Sequence, residues 1–261
     1  MSLTYCGNIV RQQDPDRFLL SLLAPARVRP ALWALYAFNY EIAKTREVVS
    51  ETATGLIRLT WWREAIDEIY KGQAPRAHEV VRDLARAIHD HDLPQSHFDT
   101  LVFAREFDVE DRNPATLQGL FHYADYTATA LTDLSLRIIG QAQSAGVIRD
   151  ASIRYAVIGL IRGVSYMLPR RRCYLPNDVM EAHNLSVQKL FDFRQKDGLP
   201  HVVRDVVAAL PDAPESSARH IRAMNKLSAL YIAQIEKAGF DVFDSALGVP
   251  PLFKSLRVAL A

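Results

Sequence analysis

The sequence predicts an all-α protein, one domain over residues 1–261, and three observations carry that expectation. Apolar residues recur every three to four positions along most of the chain, the period of a helix with one buried face. No stretch alternates apolar and polar residues as a half-buried strand would, and no repeat or low-complexity linker interrupts the pattern. Proline, glycine and Asn/Asp punctuation falls between the periodic stretches, where helices start and stop.

Asp14-Pro15-Asp16 reads as a helix start before Phe18 to Leu23, with Pro25 as the stop. Behind Pro30, the apolar run Ala31-Leu32-Trp33-Ala34-Leu35 leads into Tyr36-Ala37-Phe38-Asn39-Tyr40-Glu41-Ile42-Ala43-Lys44-Thr45-Arg46-Glu47, read as continuing one helix. From Thr54, the residues Leu56, Leu59, Trp62, Ile66 and Ile69 outline an amphipathic helix ending near Gly72. Val80, Val81, Leu84 and Ile88 mark another, stopped by His91-Asp92-Leu93-Pro94, and a short one follows with Phe98, Leu101 and Val102. Asp108-Val109-Glu110-Asp111 then falls in a predicted loop, where charge runs are usually solvated.

Asn113-Pro114 is expected to open a long helix bearing Leu117, Phe121, Ala124, Ala128, Leu131 and Ile138, with Gly140 as its C-cap. Ile153, Val157, Leu160, Ile161 and Val164 outline a further helix up to Pro169. Shorter pieces follow the basic loop Arg170-Arg171-Arg172. Beyond them come Val202 to Leu210, a break at Pro211 to Pro214, a helix from Glu215 to about Ala238, and a last amphipathic segment from Leu252 to Leu260.

With 49% hydrophobic and 23% charged residues, the chain of 261 can bury a sizeable core. A formal net charge of +1 excludes a global attraction to nucleic acid or anionic lipid, so electrostatic recognition must be local. Two cysteines, Cys6 and Cys173, give no disulfide framework and suit a reducing compartment. The first residues lack the basic and apolar regions of a signal peptide, and the apolar stretch from Phe18 to Phe38 is broken by Pro25, Arg27, Arg29 and Pro30. The expectation is a cytoplasmic protein, at most peripheral on the inner membrane. Nothing reads as a serine or cysteine nucleophile system, a Gly-rich phosphate loop or a nucleic-acid module.

The run through Ala34-Leu35-Tyr36-Ala37-Phe38, the helix with Trp61-Trp62-Arg63-Glu64, the Ile161-Arg162 pair and the loop Arg172 to Tyr174-Leu175-Pro176 resemble the squalene/phytoene synthase family of head-to-head prenyl transferases. Tyr5-Cys6, the Pro25/Arg29 turn and Tyr123 with Ala128 extend the likeness over most of the chain. The resemblance implies an isoprenoid-synthase-like helical bundle around a central cavity.

Active members carry two aspartate-rich motifs, one on each cavity wall. Carboxylates three or four residues apart share a helix face and can hold Mg²⁺ against a substrate diphosphate. Here the first motif's positions read Ala43-Lys44-Thr45-Arg46-Glu47, with only Glu47 acidic. The second motif's acidic positions read Gly163, Tyr166 and Met167, and its asparagine position reads Gly159. No catalytic residue and no metal ligand is therefore assigned to either motif.

Asn39-Tyr40-Glu41, with Val49-Ser50-Glu51, Gly55 to Leu59, Phe240 to Phe243 and Pro250-Pro251-Leu252, is similar to a non-catalytic branch of this family. That branch includes a mitochondrial protein required for assembling respiratory complex I. The resemblance implies a protein partner, a complex I subunit or assembly intermediate, with a lipid or isoprenoid as candidate ligand and no cofactor.

Four further groups need placing. Arg162, Arg170, Arg171 and Arg172, with Tyr174, are candidates for an anion or ligand site, the other reading being a solvated basic loop at a helix C-terminus. Asn39, Glu41, Tyr123 and Asp125 are candidate cavity-lining residues. Glu41 and Lys44, three apart on a helix, are expected to pair, with Arg162 a candidate to join them. His89-Asp90-His91-Asp92 has ligand types, but residues two apart do not share a helix face; Trp33, Trp61 and Trp62 are read as core or interface aromatics. The alternative function is an active transferase condensing two prenyl diphosphates head to head. It would need Mg²⁺, with Glu41, Glu47, Asp125 and Asp133 recruited as acids.

Overall fold

The computed structural model describes residues 3–49, 51–192 and 197–261; Ser50, one of the residues carrying the resemblance, lies outside them. Among the described residues every regular element is helical. The chain divides into two compact units, residues 1–111 with 126–144, and residues 112–125 with 145–261.

The first unit contains α1 (Tyr5–Gln13), α2 (Pro15–Leu22), α3 (Arg29–Ala43), α4 (Thr45–Val48), α5 (Thr52–Tyr70), α6 (Glu79–Asp90) and α7 (Gln95–Val109). It also takes the second half of α8 (Leu117–Ile139). α3 is apolar nearly all round, and Leu32 through Asn39 are all buried because α1, α2, α6 and α7 pack against it. Phe38 sits at the centre, edge-on to Trp62 at 5.5 Å and to Phe98 at 5.6 Å, geometries that favour aromatic pairs beyond their area. Trp33 stacks on Phe18 and donates its indole N–H to Ser21 Oγ at 2.8 Å, so its polar atom is satisfied in the core. Arg76 binds Glu64, Glu68 and the Trp61 carbonyl, and this ties the segment after α5 back onto that helix.

The second unit contains the first half of α8, α9 (Ala145–Met167), α10 (Asn177–Ala182), α11 (Val187–Phe191), α12 (Leu199–Ala208), α13 (Arg219–Lys237) and α14 (Lys254–Ala259). α9 and α13 pack along each other and α14 lies on α13.

Several expectations need correction. α1 has no counterpart among the periodic stretches, because it buries only Cys6, Gly7 and Val10, too few apolar positions to announce a period. α3 does not run through to Glu47: Lys44, with ψ near −4°, ends it, and α4 starts afresh at Thr45. α7 is fifteen residues rather than short, and Asp108 lies in its last turn instead of a loop. Buried Arg105 and Asp108 occupy core-facing positions there and hide the apolar period. α8 begins three residues after Pro114, where Asp178 caps the Leu117 N–H from a distant part of the chain. α13 starts at Arg219, four residues later than expected.

Candidate functional site

In the first unit the positions of the first motif straddle the break between α3 and α4. The last turns of α3 bury Asn39 and Glu41, at 8% and 6% exposure. A carboxylate so placed requires partners, and it has them on both oxygens. Lys44 Nζ lies 2.6 Å from Glu41 Oε1, and Arg58 Nη2, from α5, donates to Oε2 at 2.9 Å. The i,i+3 pair is as the spacing implies; the cation found beside it on Glu41 is Arg58. Lys44 also lies 4.9 Å from the Tyr40 ring centroid.

Two neighbouring pairs extend this charged end. Arg105 reaches Asn39 Oδ1 at 3.4 Å and Asp108 Oδ2 at 3.2 Å, and all three residues are buried. Arg46 grips Asp111 with two nitrogens, Nε at 2.8 Å, and donates to the Val49 carbonyl. Glu47, the one acid left in the motif, is exposed on α4. None of Arg58, Arg105 or Asp111 was singled out as part of this cluster from sequence. They lie 17, 66 and 65 residues from Glu41, Asn39 and Arg46 respectively, beyond any local pattern.

In the second unit the positions of the second motif lie on the last turns of α9. Met167 folds back over Gly163, where a Cβ would stand 3.0 Å from its Cε. Tyr166 is exposed, and the Arg170 guanidinium stacks 3.6 Å from its ring centroid. Arg162 stacks 3.5 Å from the centroid of Tyr231, whose hydroxyl lies 3.3 Å from Lys254 Nζ. Arg171 adopts a left-handed φ of 54° and faces Phe191 at 5.3 Å. Thus three of the four candidate arginines lie on three different rings. Tyr174 stacks on Tyr123, centroids 5.0 Å apart, and Asp125 binds Arg149 Nε at 2.8 Å, which raises the pKa of that guanidinium.

Asp133, in the first unit, lies 2.8 Å from both His97 Nε2 and Arg137 Nε. His89 is almost wholly exposed at the end of α6. Among the described residues no three His, Cys, Asp or Glu side chains converge to hold a metal ion. No described helix is long and apolar enough to cross a membrane. Cys6 and Cys173 are free and buried, and burial pushes both thiol pKa values up, that of Cys173 to about 11.

The helical fold is that of the isoprenoid synthases. It matches a squalene synthase, HpnC from Alicyclobacillus acidocaldarius, at a TM-score of 0.76 and 21% identity, over 90% of this chain and 93% of that one. A dehydrosqualene synthase crystallised with a ligand matches at 0.75 and 14% identity, over 98% and 93%. The squalene/phytoene synthase family model matches residues 10–252, and the chain belongs to that family. Among curated relatives it is 29% identical to complex I assembly factor 6 of Bos taurus, over 93% of this chain and 76% of that protein. It is also 28% identical to a phytoene synthase of Thermus thermophilus, over 70% and 62%.

Proposed function

We propose that this chain is a non-catalytic member of the squalene/phytoene synthase family that acts, through a protein partner, in the assembly of respiratory complex I. The observation that carries the reading is the Glu41 cluster. A lysine occupies a position where active members place a carboxylate, and its ammonium neutralises the adjacent buried acid. Ionising an allylic diphosphate depends on Mg²⁺ held by carboxylates against the leaving group, and a cation in that place repels the metal. The similarity to relatives named complex I assembly factor 6, over 93% of the chain, supports the assembly role. The reading assigns no cofactor. It keeps a lipid or isoprenoid as the ligand class for a surface no longer used for turnover.

The alternative, an active prenyl transferase, draws on the similarity to phytoene synthases. Of the acids it would recruit, Glu41 is engaged by Lys44 and Arg58, Asp125 by Arg149, and Asp133 by His97 and Arg137. Deleting the gene in its native host tests the assembly reading. Assembled complex I on native gels should fall and return with the wild-type chain. Unchanged complex I in the deletion strain contradicts the proposal.

A further inference from the structure

We infer that the segment from Val249 to Leu260 is a docking surface for an anionic lipid bilayer. Val249, Leu252, Phe253, Leu256 and Leu260 all expose more than half of their surface, Leu252 and Leu260 about three quarters. Scattered exposed apolar residues need no explanation, but five within twelve residues make a patch of the kind that marks an interaction surface.

These side chains are held outward. Val258 is fully buried and anchors the inner side of α14. Arg219 donates to the Ala259 carbonyl at 2.9 Å, Lys254 reaches Tyr231 Oη, and Gln234 binds the carbonyls of both Ala246 and Val249. With its inner side tied to α13 at both ends, the segment cannot roll to bury the outer one. Phe253 adds a backbone argument. Its φ of 53° is a left-handed conformation unfavourable for an aromatic residue, yet the ring stays 67% exposed.

Charge selects the occupant. Residues 245–261 contain no acidic side chain; of their two cations Arg257 is exposed, while Lys254 is half-buried against Tyr231. Arg219 and Arg222, both exposed, add to the same sign at the start of α13. Apolar side chains flanked by cations, with no acid among them, suit insertion at the headgroup boundary of an anionic leaflet. The surface requires neither the complex I reading nor catalysis, and its test involves neither.

Vesicle co-sedimentation of the full chain tests it, using phosphatidylcholine alone and phosphatidylcholine mixed with phosphatidylglycerol. The wild-type chain should bind the mixed vesicles at least about fivefold better, since each cation near the surface contributes roughly that factor, and salt should weaken the binding. Phe253→Asp with Leu256→Glu should lose about tenfold or more on both vesicles. Asp tolerates a left-handed φ better than Phe, and circular dichroism confirms that the variant is folded. Arg257→Glu should weaken binding to the mixed vesicles alone. Equal binding by the Phe253/Leu256 variant, or no binding of the wild type to either vesicle, overturns the inference. So does a dimer that this variant dissociates with vesicle binding unchanged, because the patch would then meet a second copy of the chain.

Discussion

Around Glu41, two cations converge on one buried carboxylate, whereas at the end of α9 and in its following loop Arg162, Arg170 and Arg171 disperse onto three different aromatic rings. On the proposed reading, both regions hold positions where active members of the family place metal-binding acids. In the first, an acid inside the helical core fixes its neighbours, since a buried charge must be paired on every side. In the second, guanidinium groups stack on aromatic rings, a contact that their planar shape favours. The first region is thus a rigid, mutually dependent cluster. In the second, Arg170 and Arg171 each lie on a ring of their own.

This contrast predicts a graded series of effects on stability. The largest belongs to Glu41→Gln, which leaves Lys44 and Arg58 facing each other without their anion. It should cost about 2–3 kcal/mol and lower the melting midpoint by roughly 5–10 °C at neutral pH. An unchanged midpoint would show that the pairing of Glu41 with Lys44 and Arg58 adds nothing to stability. Arg58→Gln removes one of two cations, and the Arg58 side chain is about one third exposed, so about 1–2 kcal/mol is expected. A double-mutant cycle over Glu41 and Arg58 should return a coupling of about 1 kcal/mol or more; additive losses would break the cluster into independent parts.

Smaller effects are expected in the second region. Arg170→Ala should cost no more than about 1 kcal/mol, the range of an exposed cation–π contact. Arg171→Gly loses a stack but relieves a left-handed φ, so its midpoint should stay within about 2 °C of the wild type. A large loss at either site would show that the two regions are alike after all.

Cys173, in the loop after α9, gives a pH test that reads burial rather than either set of charged contacts. Burial raises its thiol pKa to about 11, so the folded state holds this proton more tightly than the unfolded chain. Its stabilising contribution is complete below the unfolded value of about 8.5 and is lost as pH rises towards 11. Urea unfolding between pH 8 and pH 10.5 should therefore steepen in the wild type relative to Cys173→Ala. Parallel curves would place the titration elsewhere.

Much of the fold was legible because apolar spacing reports a helix directly. α5, α6 and α9 follow the periods of their apolar residues, and Gly72 and Gly140 adopt the positive φ expected just past a helix end. Two of the failures, at the end of α7 and the start of α8, come from polar residues at buried or capping positions. Arg105 and Asp108 make the end of α7 read as solvated, and the α8 N-terminus depends on Asp178, 61 residues away. At the candidate site the Glu41–Lys44 pair follows from helix geometry, because both partners lie on one turn. Arg58 could not be inferred, since only the packing of α5 brings it to Glu41.

The central claim is that a cation-saturated acid has replaced the metal site of the first motif. Isothermal titration of farnesyl diphosphate into the full chain, with and without Mg²⁺, tests it most directly. No Mg²⁺-dependent binding tighter than about 1 mM is expected, whatever weak heat the diphosphate itself gives with the surface arginines. Mg²⁺-dependent binding in the micromolar range would contradict it, because a metal site would then exist despite Lys44 and Arg58.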